Sequence, residues 1–154
     1  MKKTITLIIT AIILITALVS CGGKNYDSIS FDIAELGEYI ASNAAFGDEL
    51  IKLENSPYSF DGASFVTYGG TGATPEEIIV VEAADADGAE KALETMNERI
   101  ADQKKTFTDY NQQEKPKLND AVVMTAGKYA IMCVSADNAA AEQLITEWLD
   151  SKVK

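Results

Sequence analysis

The sequence contains no histidine, and its only cysteines are Cys21 and Cys133. Histidine is the commonest general base and metal ligand in proteins, so its absence argues against the most frequent forms of acid–base and metal chemistry. If Cys21 carries another group, Cys133 has no partner within the chain and no disulfide braces the fold. We therefore expect no catalytic residue, no cofactor and no bound metal.

Basic residues are also scarce. The 154 residues include 13 lysines and arginines against 24 aspartates and glutamates, which gives a net charge of −11. This balance argues against binding nucleic acid, because phosphate contacts need Lys and Arg, and against lying flat on an anionic membrane. It permits a cationic protein or peptide as a partner, although a surface that serves only solubility is the simpler interpretation.

The start of the chain has the organisation of a secretory signal. Two lysines are followed by the uncharged run 4–19, and a small residue, Ser20, precedes Cys21. The stretch Leu18-Val19-Ser20-Cys21 resembles the lipobox of bacterial lipoproteins, in which the cysteine takes a diacylglyceryl group as a thioether. This resemblance implies cleavage between Ser20 and Cys21, lipidation of Cys21 and attachment to the extracytoplasmic face of the cell membrane.

Two alternatives remain for this stretch. An uncleaved transmembrane helix over 4–19 would span about 24 Å at ~1.5 Å per residue, short of a ~30 Å hydrocarbon core. An ordinary secretory signal would make Cys21 incidental. Under the lipobox interpretation, residues 1–20 are a signal peptide and 31–151 are one domain. Residues 21–30 then form a lipid anchor and a flexible tether that reaches roughly 17 Å.

Beyond residue 30 the chain alternates between helical and strand patterns. Asp32 with Glu35, and Asp87 with Glu90, have the spacing of capping boxes, and Asp137 can cap the last helix. Apolar residues at helical spacing predict helices, and β-branched or aromatic runs predict strands. The predicted helices cover 33–44, 88–107 and 138–150, and the predicted strands cover 63–68, 78–83, 121–125 and 129–134.

These elements predict an α+β fold. We expect a single small antiparallel sheet of about four strands, with the helices over 88–107 and 138–150 on one face and an additional N-terminal helix. The run 78–83 is largely apolar, which favours a strand buried on both faces at its centre. Residues 111–119 are polar and contain Pro116, which predicts a loop.

The glycine-rich segment Gly69-Gly70-Thr71-Gly72 follows a predicted strand, a place where backbone N–H groups can hold phosphate. However, Glu76 and Glu77 stand where the phosphate charge would go, and no lysine follows the glycines. We therefore interpret the segment as a mobile turn.

Arg99 is the one arginine of the chain, and chain geometry places it near Glu76 and Glu77. The strand from Glu77 to Glu82 extends about 17 Å, and a helix rising ~1.5 Å per residue needs about eleven residues to return over it. Counting from Asp87 or Gly88 brings the helix to Glu98 or Arg99. We therefore predict an ion pair between Arg99 and Glu77 or Glu76; the alternative is that Arg99 anchors an anionic ligand.

Several short motifs resemble those of a known family. They are 46–50 (FGDEL), 72–78 (GATPEEI), the series Arg99, Phe107 and Tyr110, and the hairpin 127–129 leading to 134–135. Over about residues 31–150 the chain is similar to a domain of unknown function from lipoproteins of Gram-positive, largely clostridial, bacteria. That family has no established activity, so the resemblance implies fold and location and carries over no catalytic residue.

We expect a membrane-anchored extracytoplasmic module that binds or scaffolds a partner without catalysis. The alternative is an enzyme, such as a carboxylate-based cell-wall hydrolase that uses Glu76 or Glu77 with Glu82. Glu77 and Glu82 are five residues apart on a predicted strand, so they point to opposite faces, roughly 17 Å apart, which is too far for glycoside hydrolysis. Cys133 has no base or cation near it in sequence, which indicates a buried, unreactive thiol.

Overall fold

A computed structural model describes residues 24–153, and the predicted cleavage and lipidation site at Ser20 and Cys21 lies outside this range. The strands are β1 (Ile51–Lys52), β2 (Ser64–Gly69), β3 (Glu77–Glu82), β4 (Val122–Ala126) and β5 (Tyr129–Val134). The helices are α1 (Ile33–Asn43), α2 (Ala86–Tyr110), α3 (Lys115–Asn119) and α4 (Asn138–Lys152), with a 3₁₀ turn at Gln112–Glu114. The α+β class, the antiparallel sheet and the N-terminal helix are thereby confirmed. Among these helices, none combines the length and the apolar character that crossing a membrane requires.

The sheet has five strands in the order β1-β2-β3-β5-β4, and every neighbouring pair is antiparallel. The central strand is β3, which pairs with β2 on one side and with β5 on the other. Its apolar residues Ile78, Ile79, Val80 and Val81 are all completely buried. The prediction that this run is covered on both faces is confirmed, because a strand in the middle of a sheet with helices on both sides has no face in water.

Alternate side chains of β3 point into two separate hydrophobic cores. Ile78 and Val80 pack with α1 and α4, whereas Ile79 and Val81 pack with α2 and α3. The prediction that the helices over 88–107 and 138–150 share one face is therefore corrected, since α2 and α4 lie on opposite faces. A hydrophobic stripe shows that a helix must be covered, but it does not show by which face of the sheet.

The helix starts follow the predicted caps in two cases out of three. Asp32 and Asp137 cap α1 and α4, and each carboxylate accepts a hydrogen bond from a backbone N–H of the first turn. The cap of α2 is Asp85 rather than Asp87, with Gly88 N donating to the Asp85 carboxylate at 2.8 Å. The helix therefore begins before the predicted start at residue 88.

Two short elements differ from the sequence-based prediction. The segment 111–119, predicted as a loop, contains α3, where Pro116 occupies the first turn and needs no N–H partner. Leu118 anchors α3, because its side chain is only 1% exposed and packs in the core beneath α2. β1 is a two-residue edge strand on β2, and its Ile51 is 60% exposed, so no apolar pattern indicated it.

Residues 24–30, predicted to belong to a flexible tether, pack on the domain instead. Tyr26 Oη donates a hydrogen bond to the Asp150 carboxylate at 2.8 Å, and Ile29 is buried. The Tyr26 carbonyl lies against the β4–β5 turn, where a Cβ at Gly127 would be 2.6 Å from it. This segment, the N-terminal arm, is therefore fixed at the end of the sheet where β3 finishes.

Candidate functional site

A polar cleft of about 320 Å³ opens where β2 ends and β3 begins. Its lining comes from the glycine-rich turn at 69–72, the segment 53–58, the start of β3 and one face of α2. Gly72 has φ +86°, a conformation that residues with a side chain rarely adopt, so this turn depends on glycine. The polar side chains of the cleft include Tyr58, Glu77, Arg99 and Gln103.

Glu77 is a buried carboxylate in this cleft, with a side chain only 7% exposed. Tyr58 Oη donates a hydrogen bond to Glu77 Oε1 at 2.5 Å, and Arg99 Nε donates to Glu77 Oε2 at 3.2 Å. The guanidinium carbon also lies 5.3 Å from the centre of the Tyr58 ring, within cation–π range. Burial, together with the bond to Glu77, raises the pKa of Tyr58, so the hydroxyl remains a donor. Of the two predicted partners, the structure brings Glu77 to Arg99.

Glu76, the residue before β3, also lines the cleft, but its carboxylate contacts a different set of groups. Its side chain is 0% exposed and accepts hydrogen bonds from Gly47 N at 2.8 Å, Asp48 N at 3.0 Å and Lys117 Nζ at 2.8 Å. Burial by itself would raise the pKa of Glu76, but the Lys117 ammonium and the two N–H groups outweigh it and lower the pKa. Glu76 is therefore a structural anion that ties the segment 46–48 and α3 to the start of β3.

The carboxylates considered for hydrolysis do not form a pair. Glu76 and Glu77 have separate partners, since Glu76 is held by Gly47 and Lys117 whereas Glu77 is held by Arg99. Glu82 lies at the far end of β3, where it forms an ion pair with Lys128 at 2.5 Å. Five residue-to-residue steps along β3 separate Glu77 from Glu82, about 17 Å, which exceeds the ~5–9.5 Å between the two carboxylates of glycoside hydrolases.

Gln103 is a residue of the cleft that the sequence analysis missed. The residue is only 6% exposed, and within the described part of the chain its Oε1 has no hydrogen-bond partner. It lies one helical turn after Arg99, between Ile100 and Phe107, which both pack into the core. The sequence signal that could have revealed Gln103 is its polar side chain within the apolar stripe of α2. A buried acceptor left without a donor costs about 1–3 kcal/mol, so Gln103 is a cleft residue whose hydrogen bonding is incomplete.

Cys133 lies outside the cleft. It is completely buried, and burial raises the pKa of its thiol to about 12. Because the thiolate is the nucleophilic form, this sulfur is unreactive at neutral pH in the folded protein. Between residues 24 and 153, no three histidine, cysteine or carboxylate side chains come together as a metal site would require.

Comparison with known proteins gives one match. No curated protein matches the chain, and no solved structure does. A family model matches residues 61–135, just under half of the chain, and this range includes Glu77, Arg99 and Gln103 of the cleft. For the central part of the predicted range 31–150, the match supports the resemblance to a domain of unknown function. The matched family is described as Domain of unknown function (DUF4358), and residues 61–135 are similar to it.

Proposed function

We propose that the protein is a lipid-anchored extracytoplasmic binding module, held at the membrane through Cys21 and acting without catalysis. The anchor is supported by the sequence, where two lysines and the apolar run 4–19 lead to the lipobox-like ending at Cys21. Binding is supported by a polar cleft with a buried acceptor that lacks a donor. The observation that carries the proposal is the position of the N-terminal arm and the cleft at opposite ends of the sheet.

The N-terminal arm fixes the end at which a lipid would attach. Lys24 Nζ donates a hydrogen bond to the Asp150 carbonyl at 2.9 Å, and the Tyr26 carbonyl lies against Gly127. Cys21 precedes Lys24 by three residues. Because an extended chain covers at most ~3.6 Å per residue, a lipid on Cys21 would begin within about 11 Å of Lys24.

The cleft lies at the other end of the sheet. Glu77 pairs with Gly69 of β2 and with Val134 of β5, whereas Glu82 pairs with Tyr129 beside the β4–β5 turn. The five steps from Glu77 to Glu82 extend about 17 Å. A domain anchored through its arm would therefore turn the cleft away from the membrane, toward ligands in the extracytoplasmic space.

The carboxylates favour binding over hydrolysis. A glycoside hydrolase needs a carboxylic acid that donates a proton, which proteins obtain by raising a carboxyl pKa. The pKa of Glu76 is lowered, and both oxygens of Glu77 accept hydrogen bonds from Tyr58 and Arg99. Neither group is arranged as a proton donor, so we propose that they shape the cleft.

The anchor is tested by the mass of the N-terminus in a Gram-positive host that processes lipoproteins. We expect the wild-type protein and the control variant Cys133→Ala to begin at a Cys21 that carries diacylglycerol. The Cys21→Ala variant should carry no lipid and should not be cut after Ser20. A wild-type protein that retains Met1, or that begins at an unmodified Cys21, contradicts the proposal.

A further inference from the structure

We propose that the cleft between α2 and the start of β3 binds a neutral, hydroxyl-rich carbohydrate, with Gln103 and Arg99 as its polar contacts. This assignment rests on the proposed function, because it names the ligand class of the same module. It is carried by the chemistry of the cleft, which offers a buried acceptor, free donors, little net charge and an apolar surface.

The first requirement on a ligand comes from Gln103. This residue of α2 is buried and lines the cleft, and its Oε1 has no donor among residues 24–153. Buried acceptors in folded proteins are almost always paired, because an unpaired one loses its bond to water without replacement. A ligand that fits here must therefore present an O–H or N–H group to Oε1.

The second requirement comes from Arg99. Its Nε donates a hydrogen bond to Glu77 Oε2, and apart from the Tyr58 hydroxyl beside the guanidinium its two terminal nitrogens have no acceptor within the described part of the chain. Arg99 and Gln103 are four residues apart on α2, so their side chains are neighbours on one face of the helix. The ligand must therefore accept a hydrogen bond from Arg99 and donate one to Gln103 Oε1. Each hydroxyl group can do both, so adjacent hydroxyls of one sugar ring satisfy Arg99 and Gln103 together.

The charge of the cleft selects an uncharged ligand. The Arg99 guanidinium is already neutralised by Glu77 at 3.2 Å. Asp48 lies next to the glycine-rich turn, where it accepts hydrogen bonds from Thr71 N at 2.9 Å and Thr71 Oγ1 at 2.6 Å. Thr71 holds the pKa of Asp48 below its usual value, so this carboxylate stays ionised. The anionic ligand considered for Arg99 from the sequence would meet negative charge here and is disfavoured.

The remaining lining supplies apolar surface. Leu53 and Pro57 contribute apolar side chains to the lining of the cleft. The glycine-rich turn contributes backbone atoms. A sugar ring has an apolar C–H face as well as hydroxyls at its rim, which matches this combination. The volume of about 320 Å³ lies at the lower end of the ~300–1,000 Å³ typical of small-molecule clefts.

The test uses the lipid-anchored protein in detergent, labelled with ¹⁵N. Short soluble oligosaccharides of glucose, of mannose and of N-acetylglucosamine are added separately, and backbone amide signals are followed by NMR. We expect at least one of them to shift the signals of 69–72 and 99–107, with a Kd of about 1 mM or tighter.

Two variants assign the contact to Gln103. Gln103→Met keeps the length of the side chain but removes the acceptor, so we expect affinity to fall at least about tenfold. Its stability should be unchanged or higher, because an unpartnered acceptor is lost. The control Gln113→Met changes an exposed glutamine after the same helix and should bind like the wild type.

The outcomes separate the ligand from the anchor. The ligand assignment is overturned if none of the three saccharides shifts the signals, if the shifts map elsewhere, or if Gln103→Met binds as well as the wild type. The mass of the same sample reports the lipid on Cys21. A lipidated protein without a saccharide response refutes only the ligand class, whereas a saccharide response in a protein without lipid refutes only the anchor.

Discussion

Replacing Glu76 by glutamine removes the charge on which three segments converge. One oxygen of Glu76 meets Lys117 Nζ at 2.8 Å, and the other accepts from Gly47 N at 2.8 Å and Asp48 N at 3.0 Å. Glutamine has a single acceptor oxygen, so its NH₂ group must face either the ammonium or the two N–H groups. In either orientation the NH₂ group faces other hydrogen-bond donors, and it cannot turn to water because the Glu76 side chain is 0% exposed.

The expected loss can be worked from the contacts. Breaking a buried ion pair by removing one partner costs about 3–5 kcal/mol. Lys117 keeps its second partner, Glu114, at 2.6 Å, and its own side chain is 21% exposed. We therefore expect Glu76→Gln to lower the free energy of unfolding by about 2–3 kcal/mol. Urea unfolding should show a lower midpoint with an unchanged slope.

The control is Glu49→Gln, an exposed carboxylate in the neighbouring loop, which should change stability by no more than ~0.5 kcal/mol. The pKa of Glu76 is lowered in the folded protein, so its stabilising effect is present above the unfolded pKa and is lost as pH falls through the folded pKa. The difference between the wild type and Glu76→Gln should therefore shrink below about pH 4. A Glu76→Gln penalty equal to that of the control, or one that grows on acidification, refutes the reasoning.

Three further predictions concern other contacts. The double-mutant cycle of Arg99→Gln and Glu77→Gln should give a coupling energy of about 1–2 kcal/mol in urea unfolding, against nearly none for the exposed pair Lys105–Asp102. If the effects of Arg99→Gln and Glu77→Gln on the free energy of unfolding simply add, the contact between them in the cleft is contradicted. Gly127→Ala should cost at least ~1 kcal/mol more than Gly62→Ala, because both glycines have positive φ but only Gly127 adjoins the arm; equal costs would mean that the arm is not docked. Cys133 should react with a thiol reagent at pH 8 only after unfolding, since burial raises the pKa of its thiol to about 12, and rapid labelling of the native protein would exclude a closed core.

The elements of this fold could be predicted because their signals are local. The apolar runs of β3 and β5 follow from the residues themselves, and burial of a strand on both faces is visible as an unbroken apolar stretch. The side of the sheet that each helix covers could not be predicted. Both faces of β3 and β5 are apolar, so the stripes of α2 and α4 fit either face, and only the full set of connections decides.

In the candidate site, too, one contact could be predicted from the sequence and others could not. The contact between Arg99 and Glu77 follows from the length of a strand and the rise of a helix, both of which are fixed by backbone geometry. The partners of Glu76 could not be derived, because Gly47 and Lys117 reach it from segments 29 and 41 residues away in sequence. Lys117 also lies on α3, a short helix whose polar sequence and proline resemble a loop.

The arm shows why composition misled the prediction of a tether. Polar residues and glycines dominate the stretch that leads into the domain, and such a composition is typical of flexible linkers. Two apolar side chains, Tyr26 and Ile29, are enough to dock it, because each finds a partner surface that the sequence does not reveal. The docked arm is also what places the cleft at the far end of the sheet from Cys21.

The distance of each end of the sheet from a lipid bilayer tests the account most directly. Fluorophores on Asp27→Cys, in the arm, and on Ala73→Cys, beside the cleft, replace exposed side chains, while the buried Cys133 stays unlabelled. Energy transfer to an acceptor lipid in vesicles that carry the lipidated protein should place the Asp27 label near the bilayer and the Ala73 label about 17 Å farther away, the length of β3. Equal distances for the two labels, or an Ala73 label closer to the bilayer, would contradict a lipid-anchored module whose cleft faces away from the membrane.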